Sequence, residues 1–501
     1  MSSSTEKRPT FVPSFASPAP SGTSPDRGTA PSAGFVAAAR AWADTPRRLV
    51  CAAAAVTLIL VASTLLLLFL IASRIDAMRN ARDQAGAFVV GAQQVRAALS
   101  KADAAAASLV FEHVELDKGG RQEAAARQTY ADEARTQDDV DDNLAAAVEG
   151  VLRLRQLNPT ACPPRAAGPT APACAGNLLD DLGRQTPVYA GMVERARANN
   201  RVGNAVGEAY LRRASELMRT EMIPVTDRLV ALGAGELDRA FRQATRGLGE
   251  LGVTVVLCLS GLILVVLQVA LARFTHRVFN LWLITGSLLL VVVAVWTAWA
   301  FSAQQSRLVR ARDSGYDVMT MLAQSRVLAL QARADENLAL VSLGNGRAYD
   351  EGFDQAVNAL GYDSAGNPRS PRPGKSRGSL TTSLDRLAPG DVPPALTDDL
   401  RTWLNTRSKV VELLRKPSEP GGQDSFTEAT RLTVGPEADA FDRFDGKLAE
   451  LLEKRQSHFE SGMSASLSPL NRFKWFAFCI MLLSTTFSLA GLWRLYREYQ
   501  P

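Results

Sequence analysis

The stretch Leu49–Ala72 reads LVCAAAAVTLILVASTLLLLFLIA and contains no charged residue. Three further apolar runs follow at Leu251–Ala272, Leu281–Phe301 and Trp475–Leu492. Each run is long enough for a transmembrane helix, which needs about 20 apolar residues. The sequence therefore predicts an all-α membrane protein with four transmembrane helices.

Two long polar segments separate these runs, and each begins with the periodicity of a helix. Apolar residues recur in steps of three and four, as in a coiled-coil seam, from Phe88 to Leu109 and again from Met319 to Val341. The triplet Ala81-Arg-Asp83 recurs as Ala311-Arg-Asp313. The pattern predicts a tandem repeat of span, helical bundle and span.

The predicted divisions follow from these runs and from composition. A Ser/Pro-rich start cannot bury a core and is expected to be disordered. In chain order we predict a disordered cytoplasmic tail over 1–33, a juxtamembrane helix with transmembrane helix 1 over 34–73, a first extracytoplasmic bundle over 74–248, transmembrane helices 2 and 3 with a cytoplasmic hairpin over 249–302, a second extracytoplasmic bundle over 303–473, and transmembrane helix 4 with a cytoplasmic stub over 474–501.

Basic residues flank the short segments and set the predicted orientation. Arg47 and Arg48 precede the first span, Arg273 and Arg277 lie in the hairpin, and Arg494 follows the last span. Positive residues in short loops favour the cytoplasmic side. The sequence predicts a multi-pass plasma-membrane protein with both termini in the cytoplasm, in contact with membrane lipid.

Of the five cysteines, only Cys162 and Cys174 lie outside the apolar runs. The stretch between them contains four prolines and cannot be helical. A disulfide closing so short a loop would stabilise the fold by about 3 kcal/mol and would require an oxidising exterior. We predict this disulfide; the alternative is two free thiols.

The chain lacks the sequence patterns of common enzymes. Its three histidines lie far apart, with no metal-ligand spacing near them, and it has no glycine-rich phosphate loop. Basic residues are scattered among acidic ones and form no stripe for nucleic acid. The apolar runs carry no charge at their centres, whereas ion-coupled carriers usually need one. We predict no enzyme, cofactor, metal site or nucleic-acid partner.

Three residues are candidate functional positions. Asp103 interrupts an apolar stretch, and Asp335 lies at a similar place in the second segment. Each is either a ligand or helix-pairing contact, or a charge at the edge of the seam. Pro224 would break hydrogen bonding inside a helix. It is either a hinge between the outer domain and the span or a simple bend.

The layout of the chain and the segment Ala214–Leu229, with its mid-helix proline, resemble the sensor modules of bacterial chemoreceptors. Two such modules without a cytoplasmic signalling domain are similar to the GlnX-type membrane proteins of actinobacteria. That resemblance implies a link between an extracytoplasmic amino-acid-binding lipoprotein and a cytoplasmic Ser/Thr protein kinase. No ligand-binding residue can be carried over from it.

The predicted function is a non-catalytic transmembrane sensor or signal relay. It would couple an extracytoplasmic cue, an amino acid or its binding protein, to a cytoplasmic partner such as a Ser/Thr kinase. The alternative is a structural or assembly scaffold of a cell-envelope complex, and a transport accessory subunit is a third possibility. The oligomeric state stays open between a homodimer and an internal pseudo-dimer of the two modules.

Overall fold

The structure is a computed structural model that describes residues 46–109, 122–157, 174–202, 204, 206–245, 248–275, 281–342, 346–369, 378–415 and 422–498. These residues are almost entirely helical. Within them there is no β-strand, and the only extended pairing is an isolated bridge between Tyr362 and Pro368. The predicted all-α fold is therefore confirmed.

Fourteen α-helices form the described part of the chain. In chain order they are α1 Pro46–Asn80, α2 Ala87–Ser108, α3 Gln122–Leu157, α4 Ala175–Arg201, α5 Val206–Leu217, α6 Ile223–Thr245, α7 Leu248–Thr275, α8 Leu281–Arg310, α9 Asp317–Val341, α10 Arg347–Leu360, α11 Ser379–Asp385, α12 Leu396–Arg415, α13 Gly422–Leu432 and α14 Ala438–Glu498. A short 3-10 turn, Pro389–Asp391, precedes α12.

Three helical segments of the described chain are long and apolar enough to cross a membrane. They are Ala54–Ser108, Ile284–Arg307 and Phe473–Gly491. They contain most of the predicted spans 1, 3 and 4, which supports a membrane protein. A shorter apolar stretch, Val255–Val266, lies within α7, where span 2 is predicted. A total of four spans stays a prediction.

Small and hydroxyl-bearing side chains join the apolar helices. Helix α1 packs against α7 and α14, and α8 packs against the same two helices. The Ser63 and Ser260 hydroxyl oxygens lie 2.8 Å apart between α1 and α7. Ser484 of α14 donates a hydrogen bond of 2.9 Å to the Gly286 carbonyl of α8. Such contacts let apolar helices approach closely where no hydrophobic effect drives them together.

A single hydrophobic core runs through the outer helices of both halves of the chain. Leu99 of α2 and Leu182 of α4 belong to it, as do Leu330 of α9 and Phe444 of α14. Helix α2 packs against α3 and α6 within its own half and against α9 of the other half. The α2–α9 contact therefore joins the two halves above the apolar helices.

Within the described residues, four π-helical turns lie along the helices, at similar places in the two halves. Ala81–Gly86 connects α1 to α2, and Ala311–Tyr316 connects α8 to α9. Met218–Met222 connects α5 to α6, and Thr433–Glu437 connects α13 to α14. A helix therefore continues through a π turn from the apolar region into the outer region in each half.

Proline explains the position of the second π turn in each half. Pro224 lies two residues after Met222, as the second residue of α6, and Pro436 lies inside Thr433–Glu437. Because proline has no N–H, the regular ladder cannot continue through it. The Ile223 N–H instead bonds to the Met218 carbonyl, five residues back. The helix is not interrupted at Pro224; it passes through a wider turn.

Some predictions fall on residues outside the described part of the chain. These are the tail over 1–33, most of the hairpin between α7 and α8, and Cys162. Cys174 is described and directly precedes α4. The disulfide between Cys162 and Cys174 therefore stays a prediction.

Candidate functional site

The two aspartates singled out from the sequence are buried close together. Asp103 of α2 is 5% exposed and Asp335 of α9 is 1% exposed. Arg219, in the π turn between α5 and α6, lies between them. Its guanidinium forms an ion pair with Asp335, and its Nε lies 3.9 Å from Asp103 Oδ2. One cation therefore connects carboxylates from the two halves of the chain.

Asp103 is held by a set of donors from its own half. The Tyr189 hydroxyl of α4 donates to Asp103 Oδ1 at 3.1 Å. The Ser215 hydroxyl of α5 donates to Asp103 Oδ2 at 2.9 Å and accepts a hydrogen bond of 3.1 Å from Arg219 Nε. These bonds tie α2 to α4 and α5, and they fix the position of the Arg219 side chain.

Asp335 has fewer partners. Its Oδ2 is buried and has no hydrogen-bond partner among the described residues. Burial raises the pKa of Asp335 to about 6, because desolvation of the carboxylate outweighs the attraction of Arg219. Burial also raises the pKa of Asp103. The site therefore contains two carboxylates that are costly to ionise and one arginine that offsets part of this cost.

Sequence reasoning missed Arg219. It lies in the polar stretch Met218-Arg-Thr-Glu-Met222, where an arginine has the pattern of a solvated helix face. Its spacing of four residues from Ser215 places both on one side of the helix, but this signal is common. Its contact with Asp335, 116 residues away, depends on the packing of the two halves.

The second half of the chain contains another buried polar cluster, centred on Glu336 of α9. Arg333 donates to Glu336 Oε2 at 2.8 Å, and the Trp403 indole N–H of α12 donates to the same oxygen at 3.1 Å. Arg407 of α12 approaches Glu336 Oε1 at 3.7 Å and pairs with Asp350 of α10 at 2.6 Å. The cluster therefore connects α9, α10 and α12.

Glu437, at the end of the second-half π turn, lies beside Glu336. Burial and the charge of Glu336 raise the pKa of Glu437 well above its ordinary value. Burial opposes ionisation of Glu336 as well, but Arg333 and other partners lower its pKa. Burial and mutual repulsion therefore oppose the simultaneous ionisation of both glutamates, which lie beside Arg333 and Arg407.

The two clusters are related by position along the chain. Asp103 lies 17 residues after Gly86, where the first π turn ends, and Arg333 lies 17 residues after Tyr316. The position that corresponds to Asp103 is therefore Arg333 and not Asp335. Each half therefore buries a charged residue at this position, an aspartate in α2 and an arginine in α9.

Among the described residues, no group of three or more histidine, cysteine, aspartate or glutamate side chains is arranged to hold a metal ion. The clusters contain paired charges at helix contacts. Such an arrangement sets how helices pack, and its energy changes when one helix shifts against another.

Residues 77–242 match the sequence model of a protein family described as the actinobacterial sensor domain. The matched segment is about a third of the chain and contains α2 to α5 and nearly all of α6. Asp103, Tyr189, Ser215 and Arg219 all lie inside it. The findings therefore describe a helical membrane protein with an outer segment similar to actinobacterial sensor domains. Comparison with the curated proteins and with the solved structures finds no match.

Proposed function

We propose that this chain is a non-catalytic transmembrane signal relay with both termini in the cytoplasm. The match to the sensor domain over residues 77–242 supports a sensor role. The apolar helices support its location in a membrane. In this proposal each half carries an extracytoplasmic bundle between two spans, and α7 provides the span that completes the set of four.

The observation that carries the proposal is the position of Arg219. It connects buried carboxylates of both halves from within a π turn, and π turns occur often at functional sites. The helix continues from this turn through α6 to Thr245, and α7 begins at Leu248. A change in the contact between the halves would therefore move α6 at the point where it leads to the membrane.

The relay would work by selecting one of two helix arrangements. A cue that binds one arrangement better shifts the population toward it, by no more than its difference in affinity. Shifts of 1–2 Å between packed helices are common in such transitions. Because π turns connect α1 to α2 and α8 to α9, the first outer helix of each half would transmit the same shift.

The identity of cue and output rests on the resemblance to GlnX-type proteins. In this proposal the cue is an amino acid or an extracytoplasmic lipoprotein that binds one. The output is a cytoplasmic partner such as a Ser/Thr protein kinase, bound at the tail, the hairpin or the C-terminal stub.

The test is capture of partners from native membranes with tagged full-length protein in mild detergent. We expect a solute-binding lipoprotein and a cytoplasmic kinase in the captured fraction. Replacement of residues 1–48, or of the hairpin 273–280, should remove the cytoplasmic partner and leave the lipoprotein. Capture of only envelope-assembly proteins, unchanged by both replacements, would contradict the relay and favour the scaffold.

A further inference from the structure

A cavity of about 210 Å³ lies between the two halves of the chain, on the side where α2 and α3 face α9 and α14. Its lining includes Asn337 and Arg333 of α9, Lys101 of α2, and Asp139 and Asp442 at its edges. It also includes Thr433 and Val434, which belong to the π turn before α14. The cavity therefore touches both halves and the turn that leads into the last apolar helix.

Asn337 is the most informative residue in this cavity. Its side chain is 1% exposed, yet neither its amide nitrogen nor its amide oxygen has a hydrogen-bond partner within the described chain. A buried amide without partners costs about 1–3 kcal/mol. A protein retains such a cost most readily where another molecule supplies the partners. Because Asn337 lines the cavity, that molecule would lie inside it.

The charges of the cavity are divided between its base and its mouth. Arg333 is 7% exposed and uses two of its N–H groups, for Glu336 at 2.8 Å and for the Thr433 carbonyl at 3.2 Å. A guanidinium has five such groups, so these two bonds do not use all of its donors. Asp139 and Asp442 are exposed, and they place negative charge at the mouth.

One acidic residue of the lining is already engaged. Asp445 forms a two-point ion pair with Arg326, at 2.7 and 2.8 Å. Lys101 is half-buried on the wall opposite Arg333 and adds a second positive charge. The inner part of the cavity therefore offers N–H donors of Arg333, whose charge is paired with Glu336, together with the Lys101 ammonium group, and the outer part offers carboxylates.

We infer that this cavity is a binding site for a small zwitterion of the α-amino-acid class. Its carboxylate would lie against Arg333 and the Asn337 amide, and its ammonium group would face Asp442 and Asp139. A cavity of about 210 Å³ has room for several water-sized groups, which suits a small amino acid. The inference deepens the proposed sensor function, on which it rests, by assigning it a ligand class and a site.

The cavity lies next to the π turn that leads into α14, so a bound ligand can act on that helix. A ligand between α2 and α9 would contact the π turn Thr433–Glu437, after which α14 continues without interruption to Glu498. Bound ligand would favour one spacing between the halves. This provides a direct route from the cavity to the apolar helices.

The test is ligand binding by the full-length protein in lipid nanodiscs. The probes are the twenty proteinogenic L-amino acids, added singly and followed by thermal shift and calorimetry. For each amino acid that binds, the matched amine without a carboxylate and the matched carboxylic acid without an amine are titrated as well. We expect at least one amino acid to bind and both matched compounds to bind at least tenfold more weakly.

Three substitutions locate the binding. Asn337→Leu removes the unpartnered amide without leaving a buried polar group, so the protein should fold and lose at least tenfold in affinity. Asp442→Asn should weaken binding of the amino acid and leave that of the matched carboxylic acid unchanged. Asp138→Asn alters an exposed neighbour of Asp139 that does not line the cavity, and it should change nothing.

Absence of binding by every amino acid would overturn the inference, and so would binding that survives Asn337→Leu unchanged. Equal binding of a matched amine or carboxylic acid would also overturn it, since the ligand would then not be a zwitterion. Capture of the lipoprotein and the kinase is measured separately. If no amino acid binds but the lipoprotein and the kinase are still captured, only the proposed site is rejected. If the lipoprotein and the kinase are not captured, the relay itself is rejected.

Discussion

Arg219 and Asp335 form an ion pair that connects the two halves of the chain through a buried contact. Asp335 is 1% exposed, whereas the Arg219 side chain is 22% exposed and can still reach water. Each oxygen of Asp335 is in a different setting, since Oδ1 pairs with Arg219 and Oδ2 has no partner among the described residues. The charged form of Asp335 is therefore stabilised mainly by Arg219, whereas Arg219 can also be hydrated by water.

Replacement of Arg219 by alanine should strongly destabilise the protein. It leaves Asp103 and Asp335 buried without their cation, and removal of one partner from a buried pair costs about 3–5 kcal/mol. The measurement is the free energy of unfolding of full-length protein in detergent, from denaturant titration. The double variant Arg219→Ala, Asp335→Asn should recover part of the loss.

The matched control for this substitution is Arg213→Ala. Arg213 pairs with Glu216 at 2.7 Å, and both side chains are more than half exposed. Such exposed pairs contribute about 0–1 kcal/mol. Equal losses for Arg213→Ala and Arg219→Ala would show that the buried bridge does not hold the halves together.

The pKa of Asp335, raised to about 6, predicts how stability depends on pH. Its ordinary value is 3.8, so the folded protein holds this proton more tightly than the unfolded chain. Well below pH 3.8 the carboxyl is protonated in both states and imposes no penalty. As pH rises from about 4 to 6, the unfolded chain ionises first, and stability falls by about 3 kcal/mol.

The measurement compares the wild-type protein with Asp335→Asn across this window. Asparagine cannot ionise, so the variant should lack this fall in stability. The difference in unfolding free energy, variant minus wild type, should rise between pH 4 and 6 and stay constant above pH 7. A difference that is flat with pH, or that falls, would reject the raised pKa of Asp335.

Gly352 of α10 approaches the Asp335 carboxylate closely. A Cβ at this position would lie 2.7 Å from Asp335 Oδ2 and 3.0 Å from Cγ. Alanine normally favours a helix over glycine by about 1 kcal/mol, but here the clash opposes this gain. We expect Gly352→Ala to be net destabilising by about 1–3 kcal/mol, as overpacking usually is.

The control is Gly446→Ala in α14, where a Cβ would meet nothing within 4 Å. That substitution should stabilise the protein by up to about 1 kcal/mol, because only helix propensity changes. Both variants are measured by denaturant titration of the full-length protein. A stabilising effect of the same size at both positions would contradict the close approach at Gly352.

Much of the fold could be predicted from periodicity and composition. The periodic stretch from Met319 to Val341 predicts a helix, and α9 is found at Asp317–Val341. The charges at Asp103 and Asp335 could be singled out because each interrupts an apolar stretch. These signals are local, and local patterns indicate which face of a helix is buried.

The site itself depends on contacts that local patterns do not contain. Arg219 was not predicted, because its partner lies 116 residues away and its own surroundings in sequence are polar. The pairing of Glu336 with Glu437 was missed for the same reason. The π turns were also missed, since each is a single wide turn within an otherwise regular helix. The predicted disulfide of Cys162 and Cys174 stays a prediction.

The last prediction concerns Pro224 and tests whether this proline forms a hinge or only a simple bend. The Met218–Met222 turn ends two residues before this proline and contains Arg219. Alanine at position 224 would restore the missing N–H and allow a regular α-helix through the turn.

If the turn is a hinge, spin labels at Arg213 and Glu236, which are both exposed, should show a broad distance distribution in the wild-type protein. Pro224→Ala should then narrow this distribution and displace Arg219 from Asp335, with a loss of stability close to that of Arg219→Ala. An equally narrow distribution in both proteins, with Arg219→Ala still destabilising, would show that Pro224 only bends the helix and that the buried bridge acts without a hinge.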